Sequence, residues 1–442
     1  MLFALLREGT GLLWSGVFFP LLFLCAALLA VGTRGLPLRR LPQALALPFS
    51  ARREERRAAA VSLGSTVGTG NIIGTSQAIA MGGPGALFWI WTAALAGMLV
   101  KYSEIALALR FRRGPHGFGP PDYIGGGLGW KRTARLYACL ALLSAFAMGC
   151  LVQMNAISLS LLNAGEMLAR GRPPDGAGFR LAAGLFFAGV TLLLSLRGTA
   201  GIDRAAALLV PLMALLFGAV SLALLVQNRQ RLPGVFALVV RSAFAPRAAL
   251  GASCGVTLRA CIRWGVRRSA FSNEAGLGTA AIAHADDAAD APAAAGLWGV
   301  FEVFADTMLV CTLTGLCILC AAGPIPYGAA PEGGLYARAL ASLLGGRAAA
   351  VFLALCITLF AYTSVLSALR FALSCLGCLT GGRGAGLLRA LFLLAVTAGA
   401  SLPAHTVWIP ADFLNALLAV PNLTALVLLH RETIFLTRKA FS

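Results

Sequence analysis

An apolar stretch near the start of the chain is long enough to cross a membrane, yet glycines and oxygen-bearing side chains interrupt it. The interruption runs from Gly64 to Thr75 and contains Gly64, Thr66, Gly68, Thr69, Gly70, Asn71, Gly74 and Thr75. Each glycine weakens a helix by about 1 kcal/mol. Backbone groups freed inside a membrane need a cavity or a ligand, because hydrocarbon offers no hydrogen-bond partner. The pattern therefore predicts a broken membrane helix that binds a small solute.

Two other interpretations of this stretch are weaker. Small residues also let helix backbones pack closely in a membrane, but glycines interleaved with hydroxyl and amide groups favour a binding site. The spacing Gly68-x-Gly70-x-x-x-Gly74 differs from the Gly-x-Gly-x-x-Gly of a dinucleotide loop, and no strand–helix unit surrounds it.

A second interrupted stretch lies in the other half of the chain, within a span predicted over residues 248–284. Three arginines recur every four residues on one helical face: Arg259, Arg263 and Arg267. A charge at the centre of a bilayer costs about 2.5–3.5 kcal/mol, so we expect this stripe to face water or the helix to break near Gly265. A polar, glycine-punctuated run follows at residues 271–278. Two interrupted spans in matching halves predict a transport site where they meet.

The composition is that of a membrane protein. Of 442 residues, 59% are hydrophobic and 12% are charged, whereas soluble proteins carry about 25% charged residues. The net charge of +19 comes from basic residues that flank apolar spans, so the positive-inside rule explains it without a nucleic-acid partner. We find neither a phosphate-binding loop nor a metal-ligand set nor a nucleophile–base pair. The sequence therefore predicts no enzyme, no cofactor and no obligate protein partner.

Apolar runs predict eleven spans, and the basic segments between them predict their orientation. The spans are expected at residues 12–33, 58–82, 86–110, 135–162, 179–197, 203–227, 248–284, 295–321, 345–376, 384–402 and 409–429. Seven arginines between residues 34 and 57 place that linker in the cytoplasm. The N-terminus is then outside, and the basic C-terminal tail is inside.

Four segments follow from this layout. Residues 1–57 form one membrane helix and a basic amphipathic linker, and residues 58–228 form a first repeat of five spans. Residues 248–432 form a second repeat of five spans, and residues 433–442 form a cytoplasmic tail. The first span of each repeat is the interrupted one.

Polar side chains within two other spans are further candidates. Lys101 and Glu104 share a helical face, which predicts a structural ion pair near the interface, with a coupling relay as the alternative. Gln153 and Asn155 carry amides that bond either to a neighbouring helix or to a ligand.

Several of these motifs resemble one known family. Val67-Gly-Thr-Gly-Asn-Ile-Ile-Gly-Thr75, Lys101-Tyr-Ser-Glu104, Val152-Gln-Met-Asn155 and Gly265-Val-Arg-Arg-Ser-Ala-Phe-Ser-Asn-Glu-Ala-Gly-Leu-Gly-Thr279 are similar to the alanine or glycine:cation symporters. The resemblance implies an all-α polytopic membrane protein with about 11 transmembrane helices. Its LeuT-like core of five plus five inverted-repeat helices is preceded here by one extra helix. Such proteins carry small neutral amino acids with sodium.

The resemblance also implies positions for the two solutes. Sodium would be held between the first broken helix and the span at 345–376 by four residues: Gly64, Val67, Thr363 and Ser364. The substrate carboxylate would lie against the amides of Thr69 and Gly70, and Thr66 and Asn71 would contact the substrate or a second cation. The implied substrate-binding set is completed by Thr75, Gln153, Ser272, Asn273, Gly276 and Ala368.

The span at 345–376 departs from the family pattern. Members show Gly-Trp and then Tyr-Tyr-Gly-Glu, whereas this chain has Ser367-Ala368 and then Arg370 to Leu373. Ala368 in place of an aromatic residue predicts a larger pocket, and Arg370 adds a positive charge. We therefore expect a sodium-coupled symporter of alanine or glycine in a bacterial-type inner membrane. The alternatives are proton coupling, a larger amino acid, a channel and a non-transporting sensor.

Overall fold

The computed structural model describes residues 2–112, 117–169, 175–196, 198–245, 256–286, 291–328 and 334–441, and these residues contain helices but no strand. In chain order the helices are α1 (Leu5–Thr33), α2 (Leu36–Arg39), α3 (Leu41–Ser50), α4 (Arg53–Thr66), α5 (Thr75–Gly82), α6 (Ala86–Arg110), α7 (Pro120–Asp122), α8 (Lys131–Leu168), α9 (Gly176–Leu196), α10 (Thr199–Gln227), α11 (Leu232–Phe244), α12 (Leu258–Asn273), α13 (Thr279–Ala283), α14 (Pro292–Ala321), α15 (Leu335–Leu344), α16 (Gly346–Thr380), α17 (Ala385–Ser401), α18 (Ala404–Leu428) and α19 (His430–Phe441).

Eight of the described helices are long and apolar enough to cross a membrane: α1, α6, α8, α9, α10, α14, α16 and α18. The apolar α17 adds a segment of 17 residues. The interrupted pairs α4/α5 and α12/α13 bring the membrane-crossing segments to eleven. The predicted all-α class is confirmed, and these eleven segments agree with the predicted span count. Residues 248–255 of the predicted seventh span lie outside the described part of the chain.

The α6 helix forms the centre of the bundle, whereas α9 lies at its periphery. In its apolar window 89% of α6 is buried, compared with 22% of α9. Two glycines of α14 allow it to lie directly on α6. A Cβ atom at Gly299 would lie 2.7 Å from the carbonyl carbon of Lys101, and one at Gly296 would lie 2.8 Å from the ring of Tyr102. This close approach brings the polar residues of α6 and α14 together.

The two interrupted helices cross in the middle of the bundle. We call residues 67–68, between α4 and the π-helical turn Gly70–Gly74, the first break. We call residues 274–278, between α12 and α13, the second break. A Cβ atom at Gly70 would lie 3.2 Å from both Phe271 Cδ1 and Ser272 Cα. Glycine at position 70 therefore permits the contact between the two helices.

Candidate functional site

Backbone and hydroxyl oxygens converge beside the first break. Ser364 Oγ donates to Gly64 O at 2.9 Å and lies 3.3 Å from Ser65 O. Thr363 Oγ1 donates to Phe360 O at 2.8 Å, and Ser364 Oγ lies 3.2 Å from the same oxygen. We call these five neutral oxygens the oxygen cluster. Carbonyls at an unwound helix are typical sodium ligands in transporters.

Glycines allow α4 to approach α16 at this point. A Cβ atom at Gly64 would lie 3.1 Å from Ser367 Oγ and 3.4 Å from Thr363 Cβ. At Gly68 it would lie 2.9 Å from Ser364 Oγ. The glycines that weaken the helix are therefore also those that bring its carbonyls to the α16 hydroxyls. Val67, the remaining predicted sodium ligand, is the first residue beyond α4.

The oxygen cluster contains two members that the sequence interpretation missed, the carbonyls of Ser65 and Phe360. Hydroxyl side chains in helices commonly bond to the carbonyl three or four residues earlier. Applied to Thr363 and Ser364, that rule would have identified Phe360. Nothing in the sequence pointed to Ser65 rather than its neighbours.

A small cavity of about 40 Å³, whose lining is more apolar than polar, opens next to the oxygen cluster. Its polar lining residues, contributed by α4, α8, the second break, α13, α16 and α18, are Ser65, Ser144, Gln153, Glu274, Thr279, Ser364 and Asn415. Thr69 Oγ1 donates to Gln153 Oε1 at 3.2 Å. Glu274 Oε2 accepts hydrogen bonds from Ser65 Oγ at 2.9 Å and from Thr279 Oγ1 at 2.7 Å. The cavity therefore offers a carboxylate, an amide and several hydroxyls to a small solute.

Ala368 lines this cavity and also lies where α8 approaches α16 closely. A Cβ atom at Gly149 would overlap that of Ala368. The small residue therefore serves the packing of the two helices as well as the shape of the cavity. Arg370, two residues further on, has its Nε 3.3 Å from Asp203 and its Nη2 3.6 Å from Asp286.

A second polar cluster surrounds Asp306 of α14. Asn71 Nδ2 donates to Asp306 Oδ1 at 2.7 Å, and Ser272 Oγ donates to Asp306 Oδ2 at 2.8 Å. Thr307 Oγ1 donates to Asp306 Oδ2 at 2.7 Å. Asn71 Oδ1 accepts from Gly68 N at 2.9 Å and so also stabilises the first break. Asp306 thus connects both interrupted helices, and its position within an apolar span was the signal that could have identified it.

The second break is held by charged side chains. Glu104 Oε1 accepts from the amides of Gly276 and Gly278 at 2.9 and 3.1 Å, and from Asn422 Nδ2 at 2.7 Å. Lys101 Nζ donates to Asn273 O at 3.2 Å. The backbone groups of Asn273 and Gly276, which we expected to contact substrate, therefore already have protein partners.

The prediction that Lys101 pairs with Glu104 is wrong, because the acidic partner of Lys101 is Glu302. Lys101 Nζ lies 3.1 Å from Glu302 Oε2, and both side chains are fully buried. Glu302 also accepts from Ser62 Oγ at 2.6 Å and lies 2.7 Å from His284 Nε2. Because α14 packs closely against α6, it supplies Glu302 as the partner of Lys101. Glu104 bonds instead to backbone amides of the second break. The result is a buried network that joins α4, α6, α14 and the end of α13.

The arginine stripe of α12 is only partly exposed, and the helix does not break at Gly265. Arg259 and Arg263 are exposed, whereas Arg267 is half-buried and forms an ion pair with Asp412 of α18. A Cβ atom at Gly265 would lie 2.5 Å from Trp89 Cβ, so this glycine serves packing against α6. The close contact with α6 therefore explains the glycine at position 265, and α12 continues through it as a helix.

The two remaining predicted substrate residues lie within helices. Thr66 Oγ1 lies 3.3 Å from Leu63 O in the last turn of α4. Thr75 is buried at the start of α5. Of the predicted set, Gln153 and Ala368 line the cavity, Thr69 bonds to Gln153, and Asn71 and Ser272 bond to Asp306.

Among the described residues, eleven membrane-crossing segments and two crossing interrupted helices have the architecture of a LeuT-like fold. The chain is similar to the crystal structure of MhsT in complex with L-phenylalanine. The TM-score is 0.56 at 17% identity, and the match covers 88% of this chain and 98% of that one.

A family profile described as the sodium:alanine symporter family matches residues 1–441, and the chain belongs to this family. It is 33% identical over 464 residues to the sodium/alanine symporter AgcS of Methanococcus maripaludis, covering 99% of this chain and 97% of the relative. It is 33% identical over 375 residues to the "Probable sodium/glutamine symporter GlnT" of Bacillus subtilis, covering 84% and 75%. The chain is therefore a multi-pass membrane transporter rather than an enzyme, and its family couples amino-acid transport to sodium.

Proposed function

We propose that the protein carries a small neutral amino acid, alanine or glycine, into the cell together with sodium. The observation that carries this proposal is the oxygen cluster, which connects the last turn of α4, next to the first break, to α16 through neutral oxygens only. A cation bound there would be shared by two helices that move relative to each other during transport. The membrane potential would add about 2.3 kcal/mol per 100 mV for each charge that moves inward.

The proposed sodium ligands are the carbonyls of Gly64 and Val67 and the hydroxyls of Thr363 and Ser364, with Phe360 O as a fifth. Each hydroxyl now donates to a carbonyl. Rotation of the two hydroxyls would turn their lone pairs towards the cation and release the carbonyls to bind it. Sodium would then replace the hydrogen bonds that close the cluster.

The proposed substrate site lies between the first break and the cavity. The amides of Thr69 and Gly70 begin the helical turn that leads into α5, where a carboxylate is favoured. Glu274 provides a partner for the ammonium group, and Gln153 lies beside Thr69. Thr66, Asn71, Thr75, Ser272, Asn273 and Gly276 complete the proposed set. Since Ala368 packs against Gly149, its small size does not by itself admit a larger substrate.

The proposed organisation follows the two interrupted helices. Residues 58–228 and 248–432 would form inverted repeats, preceded by the helix and linker of residues 1–57 and followed by the tail at 433–442. The arginines at the start of α4 favour a cytoplasmic position for that end of the helix. The N-terminus would then be outside a bacterial-type inner membrane and the C-terminus inside.

Uptake into proteoliposomes tests this function. Labelled alanine should accumulate saturably with an inward sodium gradient, should not accumulate when potassium replaces sodium, and should compete with unlabelled glycine. Competition by glutamine but not by glycine would assign a larger substrate instead. Accumulation driven by a proton gradient without sodium would contradict sodium coupling. Binding of alanine without any accumulation would indicate a sensor.

A further inference from the structure

A large apolar crevice lies on a different face of α4 from the oxygen cluster. It has a volume of about 960 Å³ and runs between α4, α10 and α14, with α3 at one end. Ala60 and Leu63 form its wall on α4, and Leu215 and Gly218 form its wall on α10. Leu215 remains 72% exposed. The crevice therefore presents a concave apolar surface.

The length of the crevice matches an acyl chain. On α10 it extends from Arg204 to Gly218. At about 1.5 Å per residue, this stretch is roughly 21 Å long, somewhat more than half of a hydrocarbon core of about 30 Å. It also reaches Val67 at the first break. A chain entering from the membrane surface would therefore extend to the middle of the bilayer.

One end of the crevice is strongly basic. Its charged lining residues are all arginines, Arg53, Arg56 and Arg57 of α4 and Arg204 of α10, and no acidic residue lines it among those described. The nearby Asp203 has Arg370 within 3.3 Å. Arginine binds phosphate oxygens with charge-assisted hydrogen bonds. Basic pockets between membrane helices are suited to anionic lipid headgroups.

We propose that this crevice binds one anionic phospholipid, with its phosphate among the four arginines and an acyl chain along α10. The arginines at one end of the crevice match the headgroup, and the apolar walls along α10 match the acyl chain. The occupant would contact α4 along its length up to Val67. Since α4 also supplies the oxygen cluster, the bound lipid would stabilise one position of α4 relative to α10.

Lipid retention measured by native mass spectrometry tests the headgroup site. The purified protein is incubated with equal amounts of phosphatidylglycerol and phosphatidylcholine. The crevice variant, Arg53→Gln with Arg56→Gln, Arg57→Gln and Arg204→Gln, should retain phosphatidylglycerol at least about tenfold less, because each of the four basic residues near the headgroup strengthens binding. The control variant, Arg39→Gln with Arg132→Gln, Arg383→Gln and Arg431→Gln, removes four exposed arginines from the same end of the bundle. It should retain phosphatidylglycerol as the unchanged protein does.

A second pair of variants tests the acyl-chain site without changing charge. A Cβ atom at Gly218 meets no atom within 4 Å, and the same is true at Gly189 on the exposed face of α9. Gly218→Trp should fill the crevice and reduce retention, whereas Gly189→Trp should not. Equal retention by crevice and control variants, or retention of phosphatidylcholine as strong as that of phosphatidylglycerol, would overturn the proposal. These results do not depend on which amino acid is transported.

Discussion

The two breaks differ in what their free backbone groups bind. In the last turn of α4, just before the first break, the carbonyls of Gly64 and Ser65 both meet the neutral Ser364 hydroxyl of α16. At the second break, the amides of Gly276 and Gly278 meet the carboxylate of Glu104. Asn273 O there meets the ammonium of Lys101. The backbone beside the first break therefore meets neutral groups, whereas the backbone of the second break meets charged side chains.

This difference separates the roles of two helices that are both interrupted by glycines and polar residues. A carbonyl that bonds to a rotatable hydroxyl can exchange that partner for a cation. A backbone amide bonded to a buried carboxylate is held more firmly, since hydrogen bonds to charged groups contribute about 1.5–3 kcal/mol. We infer that the second break holds α12 against α6 and that the coupling ion binds beside the first break.

The largest predicted effect is at Lys101, which pairs with Glu302 and donates to Asn273 O just before the second break. Lys101→Met leaves Glu302 buried without its ammonium partner, and breaking a buried ion pair costs about 3–5 kcal/mol. We expect a large drop in the thermal unfolding temperature of the purified protein. Lys439→Met changes an exposed residue of the C-terminal helix and should leave that temperature unchanged.

The same experiment distinguishes a lost ion pair from lost packing. Adding Glu302→Gln to Lys101→Met removes the buried charge that has lost its lysine partner, so part of the stability should return. A double variant less stable than Lys101→Met would show that the charge of Glu302 is not the source of the instability.

A smaller effect is predicted where the two interrupted helices cross. Gly70→Ala places a methyl group 3.2 Å from Phe271 Cδ1 and Ser272 Cα, and overpacking of this kind costs about 1–3 kcal/mol. We expect a reduced rate of alanine uptake in proteoliposomes. Gly11→Ala, which meets no atom within 4 Å, is the matched control. Unchanged uptake by Gly70→Ala would show that the contact between the helices does not limit transport.

The smallest effect is predicted outside the breaks. Asp412→Asn removes the partner of Arg267, and because both side chains are partly exposed we expect a loss of at most about 1 kcal/mol. Chemical denaturation of the purified protein measures this loss. If Asp412→Asn destabilised the protein as much as Lys101→Met, the buried ion pair of Lys101 would contribute no more stability than a partly exposed ion pair does.

The sequence predicted where helices are interrupted better than it predicted which side chains meet. Glycine and hydroxyl patterns are local, so they identify residues 64–75 and 271–278 directly. The partner of Lys101 depends instead on how closely α14 approaches α6, which Gly296 and Gly299 decide from a distant part of the chain. Apolar patterns identify the spans but not their rotation, so Asp306 and the crevice arginines could not be assigned to their partners.

The central claim, that the first break binds the coupling ion, is tested most directly by sodium binding to the purified protein. Radioactive sodium should bind saturably to the unchanged protein. Thr363→Ala with Ser364→Ala should raise the sodium concentration for half-maximal binding by about tenfold, or about 1.4 kcal/mol. Thr358→Ala, on the same helix but outside the oxygen cluster, should bind sodium as the unchanged protein does. Undiminished sodium binding by the Thr363 and Ser364 variant would contradict the account.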